Sequence, residues 1–288
     1  MRDGEDNWGI KELQEAILSI AQYYDTLCEE NNIDYCLMGG SALGAIRHNG
    51  FIPWDDDLDV FMRPQEYEKF REVFNRKGDK NTYYLQEWGG NKNITFAKLR
   101  LNKTHFVEPD LEKLNVHKGI FIDIFILHSC PNKKWAHWRQ YIWSRYLVLK
   151  SLANRDYKRR GIWGNIILKP LKWLPKRAMV DYAIRQIYAA QNKTTEYYCH
   201  YLGRAGYKKG LYKRKYFEKT KRVPFETITL KVPYEVEEYL KDRWGDYRKL
   251  PSENEIKYFQ HATNWSTEHP FFGYNPEGIY PDEKDLIV

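Results

Sequence analysis

The stretch from Met38 to Asp59 restricts what this chain can fold into more than any other feature. It reads Met-Gly-Gly-Ser-Ala-Leu-Gly-Ala-Ile-Arg-His-Asn-Gly-Phe-Ile-Pro-Trp-Asp-Asp-Asp-Leu-Asp. Because strand side chains alternate between faces, a strand over 57–62 points Asp57 and Asp59 to one face and apolar residues to the other. Two carboxylates on one face repel each other unless a cation lies between them, and Mg²⁺ binds a few carboxylates while keeping positions for phosphates. The pattern therefore predicts a metal site on a half-buried strand.

Two further features support a site for a metal and a phosphate. Gly39, Gly40 and Ser41 offer backbone N–H groups and a hydroxyl at a predicted helix start, which suits a phosphate; Ser41 as a plain helix cap is the alternative. Asp123 lies inside the apolar run 119–127, where a lone carboxylate would be costly unless it shared a cation. A strand-end acid bonded to backbone N–H groups is the alternative there.

The two remaining acids of the cluster are assigned by the same alternation. Asp55 shares the predicted face of Asp57 and is a further candidate metal ligand, whereas Asp56 faces away and is expected to be a surface or capping acid. A solvated acidic turn is the ordinary interpretation of Asp55-Asp56-Asp57 alone.

Periodicity predicts an α+β or α/β protein in which helices cover a mixed sheet. Helices are expected over 10–30, from Ser41 to about His48, from Pro64 to about Phe74, and over 235–244. Strands are expected at 35–38, 57–62, 95–101 and 119–127, with 106–108 as a partner strand of 95–101. Aromatic and basic residues at helical spacing from Trp135 to Met179 predict a mainly helical middle.

The charge is distributed unevenly. The chain carries a net charge of +7, yet residues 133–222 hold 24 Lys and Arg against 4 Asp and Glu. This asymmetry predicts a polyanionic partner for the middle segment. We therefore expect a core over 1–130, a basic aromatic lobe over 131–240, and a segment over 241–288 that packs back on the core.

Cysteine usage and hydropathy favour a cytoplasmic location. The four cysteines are scattered without a Cys-x-x-Cys pair, which indicates reduced thiols rather than disulfides or a zinc site. No apolar signal core is present at the N-terminus, and no run approaches the roughly 18 apolar residues that span a bilayer. We expect a cytoplasmic protein that can lie peripherally on the inner face of the membrane.

The motif 38–59, followed by a distant strand acid at Asp123, resembles the signature of the nucleotidyltransferase fold. The whole stretch resembles more closely the LicD family of phosphocholine and related phospho-alcohol transferases, relatives of the fukutin-type ribitol-phosphate transferases. The resemblance is dense over 33–127 and returns at 243–251, Arg-Trp-Gly-Asp-Tyr-Arg-Lys-Leu-Pro. It implies a nucleotidyltransferase-type mixed sheet flanked by helices.

The resemblance implies roles for individual residues. Asp57, Asp59 and Asp123 would hold one or two Mg²⁺ ions, or Mn²⁺ in their place, and Asp123 is the first candidate for general base. Gly39, Gly40 and Ser41 would bind a donor phosphate. Further candidates for substrate binding are Arg47, His48, Trp54, Lys98 and Arg100.

Each of these candidates has an ordinary alternative. His48 is otherwise a turn residue beside Asn49-Gly50, and Lys98 with Arg100 is otherwise a solvated strand face rather than a phosphate contact. Trp54, Trp88 and Tyr247 are candidates for a cation–π cage around choline, with core packing as the alternative.

The resemblance implies transfer of a phospho-alcohol, with CDP-choline as the favoured donor, to a hydroxyl of a cell-surface glycan or glycolipid, with release of CMP. The glycan would belong to a lipopolysaccharide, teichoic acid or capsule precursor. An anionic membrane surface is the expected partner of residues 133–222. A nucleotidyltransferase acting on a small molecule or RNA and a non-catalytic membrane or glycan-binding protein stay as alternatives, although nucleic acid is the less favoured partner.

Overall fold

A computed structural model of the protein describes residues 8–87, 96–109, 111–154, 168, 177–203, 205–252 and 264–282. The helices described are α1 (Lys11–Glu30), α2 (Gly39–His48), α3 (Pro64–Lys77), α4 (Lys134–Asn154), α5 (Arg177–Tyr188) and α6 (Val236–Trp244). The strands are β1 (Cys36–Leu37), β2 (Asp59–Met62), β3 (Tyr83–Glu87), β4 (Phe96–Leu101), β5 (His105–Phe106), β6 (Phe121–Ile126), β7 (His128–Cys130), β8 (Tyr197–Cys199), β9 (Leu211–Lys213), β10 (Thr220–Phe225), β11 (Ile228–Pro233) and β12 (Trp265–Ser266).

A five-stranded mixed sheet forms the centre, in the order β1-β2-β6-β4-β3. Strands β2 and β6 are parallel, while the other neighbours are antiparallel. The predicted α+β class with a mixed sheet is therefore confirmed. The parallel pairing places the segment at 59–62 directly beside the distant segment at 123–126.

The helices follow the predicted apolar spacing. Helix α1 buries one stripe against the sheet, formed by Leu13, Ile17, Ile20, Ala21, Tyr24, Leu27 and Cys28. Helix α3 begins at Pro64, a position where the missing N–H costs nothing. Helix α6 ends at Gly245, whose φ of +67° is accessible to glycine without strain.

Three local predictions were wrong. The strand predicted over 57–62 begins at Asp59, so Asp57 precedes it. Helix α2 begins at Gly39 with Met38 as its N-cap residue, so Ser41 lies inside the first turn and does not cap the helix. Residues 105–106 pair with Trp265–Ser266 instead of β4, a contact between distant segments that periodicity does not reveal.

The middle segment contains strands as well as helices. Strands β7, β8 and β9 form a second antiparallel sheet, and β10 with β11 forms a hairpin. These strands were not predicted. Most of the run 162–179 lies outside the described residues. Within the described part of the chain, no helix is both long and apolar enough to cross a membrane.

The main hydrophobic core extends from α1 across the sheet to α6 and Tyr247. A smaller core lies under α4 and α5, and includes Leu147, Val180 and Ile184. The core includes Tyr247 of the 243–251 motif, so this residue packs in the same core as the sheet that carries Asp59 and Asp123.

Candidate active site

Three predicted site residues lie side by side across the central sheet. Asp59 on β2 is the register partner of Asp123 on the parallel strand β6, and Asp123 is in turn opposite Lys98 on the antiparallel strand β4. Directly opposite residues point to the same face, with neighbouring strands about 4.8 Å apart. The sheet therefore presents two carboxylates and one ammonium group in a row.

The three acids before β2 form the second part of the site. One carboxylate oxygen from each of Asp55, Asp56 and Asp57 lies within 4.8 Å of the other two. Among the described residues, this is the group of acids compact enough to surround one ion. Asp56 is only 1% exposed. The expectation that Asp56 is a surface or capping acid was therefore wrong; it is buried with Leu58, while Asp55 and Asp57 are half-buried.

Helix α2 begins next to these acids. A Cβ placed on Gly40 would lie 2.8 Å from Asp55 Oδ2, and one on Gly39 would lie 3.7 Å from Asp59 Oδ2. Gly39 also has a φ of +54°, a conformation that favours glycine. The two glycines thus allow the start of α2 to approach two carboxylates closely.

Ser41 connects helix α2 to the strand that carries the acids. Its hydroxyl oxygen accepts a hydrogen bond of 2.8 Å from the backbone N–H of Asp59. The hydroxyl hydrogen is still available as a donor by its chemistry. Gly39 N–H donates to the Tyr239 hydroxyl at 3.0 Å, which ties the start of α2 to α6.

Burial and mutual repulsion perturb the acids of the site. Burial, followed by the charges of Asp57, Asp123 and Asp55, raises the pKa of Asp59 well above its usual value. The pKa of Asp55 is raised well above its usual value by burial and then by Asp57 and Asp56. Burial also raises the pKa of Asp123, against the opposing effect of Lys98. The ionised form of these acids is therefore disfavoured, and a bound cation would stabilise it.

Lys98 and Arg100 are buried, at 2% and 0% exposure, so a solvated strand face is excluded. Lys98 Nζ lies 2.7 Å from Asp123 Oδ1 and 3.3 Å from Glu108 Oε1. Arg100 donates to Gln86 Oε1, to the carbonyl of Gly119 and to Glu108 Oε2. Glu108 joins the two cations. It was not predicted as a site residue, because it lies outside the 38–59 motif.

Two residues from distant elements hold the loop that carries the acids. Gln14 on α1 donates to the carbonyl oxygens of Ile52, at 3.2 Å, and Asp55, at 2.9 Å. Glu226, at the turn of the β10–β11 hairpin, accepts a hydrogen bond of 2.9 Å from Phe51 N–H. Neither residue was predicted, because both are ordinary polar residues in sequence.

Arg47 and His48 are linked to each other and to the 243–251 motif. Arg47 Nε donates to His48 Nε2 at 2.9 Å, and Arg47 Nη1 donates to the carbonyl of Tyr247 at 3.0 Å. Burial, and then the Arg47 charge, lowers the pKa of His48 to about 4. His48 is thus a neutral acceptor near pH 7. Their predicted part in phosphate binding stays a prediction.

Trp54 is 8% exposed, and its ring meets those of Trp8 and His48 edge-on. This placement is that of a core aromatic beside the acidic loop. Tyr247 is also buried, and Trp88 lies outside the described residues. A choline cage formed by these aromatics stays a prediction.

The donor set fits a hard divalent cation. It consists of carboxylates alone and lies half-buried, and burial raises the pKa of Asp55, Asp59 and Asp123, with added repulsion between carboxylates at Asp55 and Asp59. The predicted ligand set of Asp57, Asp59 and Asp123, with Asp55 beside them, stays a prediction, since the acids that the structure brings within 4.8 Å of one another are Asp55, Asp56 and Asp57.

Known proteins share sequence with this chain over the range that carries the site. The family model described as LicD/FKTN/FKRP, nucleotidyltransferase domain, matches residues 32–175, half of the chain. The chain belongs to the LicD family. The matched range contains the two glycines, the aspartates from Asp55 to Asp59, Asp123, Lys98 and Arg100. The protein is accordingly a phosphotransferase of the LicD type.

Individual relatives support the same assignment. The lipopolysaccharide cholinephosphotransferase LicD of Haemophilus influenzae is 30% identical over 261 residues, which cover 86% of this chain and 94% of that protein. The ribitol 5-phosphate transferase FKRP of Homo sapiens is 39% identical over 56 residues, 19% of this chain and 11% of that protein. The LicD relationship thus extends over most of the chain, beyond the nucleotidyltransferase domain.

Proposed function

We propose that this protein transfers phosphocholine from CDP-choline to a hydroxyl group of a cell-surface glycan and releases CMP. The observation that carries this proposal is the register of Asp59 with Asp123, beside Asp57 and the start of α2. The choice of choline follows the Haemophilus relative, whose match covers 94% of its length. A lipopolysaccharide, teichoic acid or capsule precursor is the proposed acceptor class.

We assign the metal ligands to Asp57, Asp59 and Asp123, with Asp55 as a further ligand. A Mg²⁺ ion bound there would neutralise charge on the donor diphosphate during an in-line displacement. The four carboxylates come from one loop and two strands, so the ligand set depends on the fold rather than on one peptide segment.

Asp123 is the proposed general base. Its pKa is raised by burial, so its carboxylate is a better proton acceptor than an exposed aspartate would be. The acceptor hydroxyl oxygen attacks the phosphorus next to choline, and the bond from that phosphorus to the bridging oxygen breaks. The hydroxyl proton passes to Asp123, and CMP leaves with the bridging oxygen.

The start of α2 is the proposed binding place for a donor phosphate. Backbone N–H groups and the positive end of the helix dipole favour an anion there. Gly39 and Gly40 let the Asp59 and Asp55 carboxylates lie close to this helix start, so a metal ion held by those acids would lie near the phosphate. The Ser41 hydroxyl can donate a hydrogen bond to the phosphate while accepting one from Asp59 N–H. Lys98 stays close to Asp123 and stabilises its carboxylate form.

Oxygen-isotope labelling during slow donor hydrolysis tests the reaction without requiring the natural acceptor. CDP-choline is incubated with the protein and Mg²⁺ in H₂¹⁸O, and the products are analysed by mass spectrometry. Attack on the choline-side phosphorus places the label in phosphocholine, whereas attack on the nucleoside-side phosphorus places it in CMP. Label in CMP would overturn the proposal and favour a nucleotidyltransferase.

Variants identify the source of the activity. Asp57→Asn should abolish the labelled product. It should leave the unfolding temperature of the protein unchanged, because the Asp57 carboxylate is half-buried and repelled by its neighbours. Glu277→Gln removes an exposed carboxylate as the matched control and should keep full activity. CDP-ethanolamine, CDP-ribitol and CDP-glycerol are tested in parallel, and a faster reaction with one of these would replace choline in the proposal.

A further inference from the structure

Helix α4 exposes large apolar side chains and buries several polar ones. Its outer surface carries Trp135, which is 63% exposed, Trp138 at 50%, Ile142 at 58%, and Leu149 at 38%. These residues are spaced by three, four and seven positions, so at 3.6 residues per turn they form a single stripe along the helix. We call this set, Trp135, Trp138, Ile142 and Leu149, the α4 stripe.

The inner surface of the same helix carries polar groups beside apolar ones such as Leu147. Gln140 and Ser144 are each 1% exposed, and Lys150 is buried as well. The Gln140 side chain donates to the carbonyl oxygens of Ser129 and Ile187, and the Ser144 hydroxyl donates to the carbonyl of Gln140. The protein interior therefore takes up polar groups while large apolar side chains face outward. Such contiguous exposed apolar surface indicates an interaction site.

The charges around the α4 stripe select the partner. Residues 131–154 contain five basic residues, of which Lys150 is buried, and no Asp or Glu. Lys133 and Lys134 are exposed at the start of the helix, and the Arg139 guanidinium lies 4.9 Å from the Trp135 ring centre. Tryptophan and aliphatic side chains flanked by basic groups fit the boundary between lipid headgroups and acyl chains. A bare polyanion such as RNA would match the charges but not the outward Ile142 and Leu149.

We propose that the α4 stripe docks the protein on an anionic lipid bilayer, with the two tryptophans at the headgroup boundary and the basic groups on anionic headgroups. The helix lies in the membrane plane and does not cross it. The proposal holds whichever donor the active site uses. It supplies a physical reason for an enzyme of this class to work on acceptors carried by lipids.

Vesicle binding tests the proposal with the full-length protein. Co-sedimentation is measured with vesicles of phosphatidylcholine alone and of phosphatidylcholine with phosphatidylglycerol. We expect binding to the anionic vesicles only. The triple variant Trp135→Ser/Trp138→Ser/Ile142→Ser should weaken this binding by more than about tenfold. Phe272→Ser, which removes the fully exposed ring of another surface loop, is the matched control and should bind as the unmodified protein does.

A second measurement reports insertion directly. Brominated phosphatidylcholine in the anionic vesicles quenches tryptophan that enters the bilayer. The unmodified protein should be quenched, while Trp135→Phe/Trp138→Phe should bind equally well and show clearly less quenching. Equal quenching in both proteins would overturn the proposal, because the fluorescence change would then come from other tryptophans.

Three other outcomes would also overturn it. One is vesicle binding that the triple variant retains, which would indicate charge attraction alone. Another is a dimer in sedimentation velocity that the triple variant dissociates, which would make a second copy the occupant. The third is stripe-dependent binding of RNA without vesicle binding. In every case the triple variant should keep CDP-choline hydrolysis, so failure of docking is distinguished from failure of the proposed reaction.

Discussion

Asp59 and Asp123 are direct register partners on adjacent parallel strands, although the segments that carry them are far apart in sequence. Burial raises the pKa of both carboxylates, and the charge of Asp123 adds to the raised pKa of Asp59. This pairing is costly for an empty site and becomes favourable when a cation is bound. The same relationship therefore contributes to the raised pKa of Asp59 and is the reason a metal is proposed here.

In the metal-free protein, ionisation of Asp59 should lower the free energy of unfolding as the pH rises. The folded-state pKa of Asp59 is raised above its value of 3.8 in an unfolded chain. The stability that protonated Asp59 contributes is therefore fully present below the unfolded-state pKa. It is lost as the pH rises through the folded-state pKa. Relative to the unmodified protein, Asp59→Asn should gain stability progressively from about pH 4 upward.

Urea unfolding in EDTA at several pH values measures this difference. Saturating Mg²⁺ should reverse it, since the ion stabilises the ionised unmodified site and has less to bind in Asp59→Asn. A stability difference that stays constant with pH, or that Mg²⁺ leaves unchanged, would contradict the metal assignment without reference to activity.

Gly40→Ala should separate stability from ligand binding. The added Cβ would lie 2.8 Å from Asp55 Oδ2 and otherwise meets only Asp55 Cγ within 4 Å, so the Asp55 carboxylate must move. Alanine favours a helix over glycine by about 1 kcal/mol, so stability should hold or rise. If Asp55 is a ligand, Mg²⁺ affinity measured by calorimetry should fall by roughly tenfold. Gly206→Ala, where no atom lies within 4 Å, is the control.

Lys98→Met should destabilise the protein strongly. Lys98 is buried between Asp123 and Glu108, and removing the cation leaves a buried carboxylate without its partner. We expect a loss of about 3–5 kcal/mol in the metal-free free energy of unfolding. The double variant Lys98→Met/Asp123→Asn should recover much of that loss, because both charges are gone. An additive result in this double-mutant cycle would show that the two groups do not interact.

Glu226→Ala should loosen the loop that carries the acids. It removes the acceptor of the Phe51 N–H bond and leaves a part-buried donor unpaired, at a cost of about 1–3 kcal/mol. Hydrogen exchange at Phe51 should accelerate together with exchange in the loop from Ile52 to Asp57. Glu277→Ala, an exposed glutamate, is the control; equal exchange rates in the two variants would show that the hairpin does not hold the loop.

The sequence predicted the elements of the core with good accuracy where the pattern was strong. The apolar stripe of α1 needed no long-range information, since helical spacing alone places seven residues on one face. The glycines, the acidic motif and Asp123 were also identified from local sequence, because each is unusual among its neighbours along the chain. The prediction for Asp56 was wrong because the alternation of burial continues from β2 back into the loop before it. Asp56 lies on the buried side with Leu58, whereas it was expected to be at the surface.

What the sequence by itself determined was the chemistry: carboxylates on one side of an apolar strand, glycines at a helix start, and a basic aromatic middle. Only the tertiary structure decided which groups meet. The pairing of Asp59 with Asp123, the position of Lys98 between Asp123 and Glu108, and the support from Gln14 and Glu226 all join segments distant along the chain. Local propensity acts over a few residues, whereas strand register and burial are fixed by the packing of the whole sheet. For the same reason, the outward direction of the α4 stripe became visible only when the polar side of that helix was found inside.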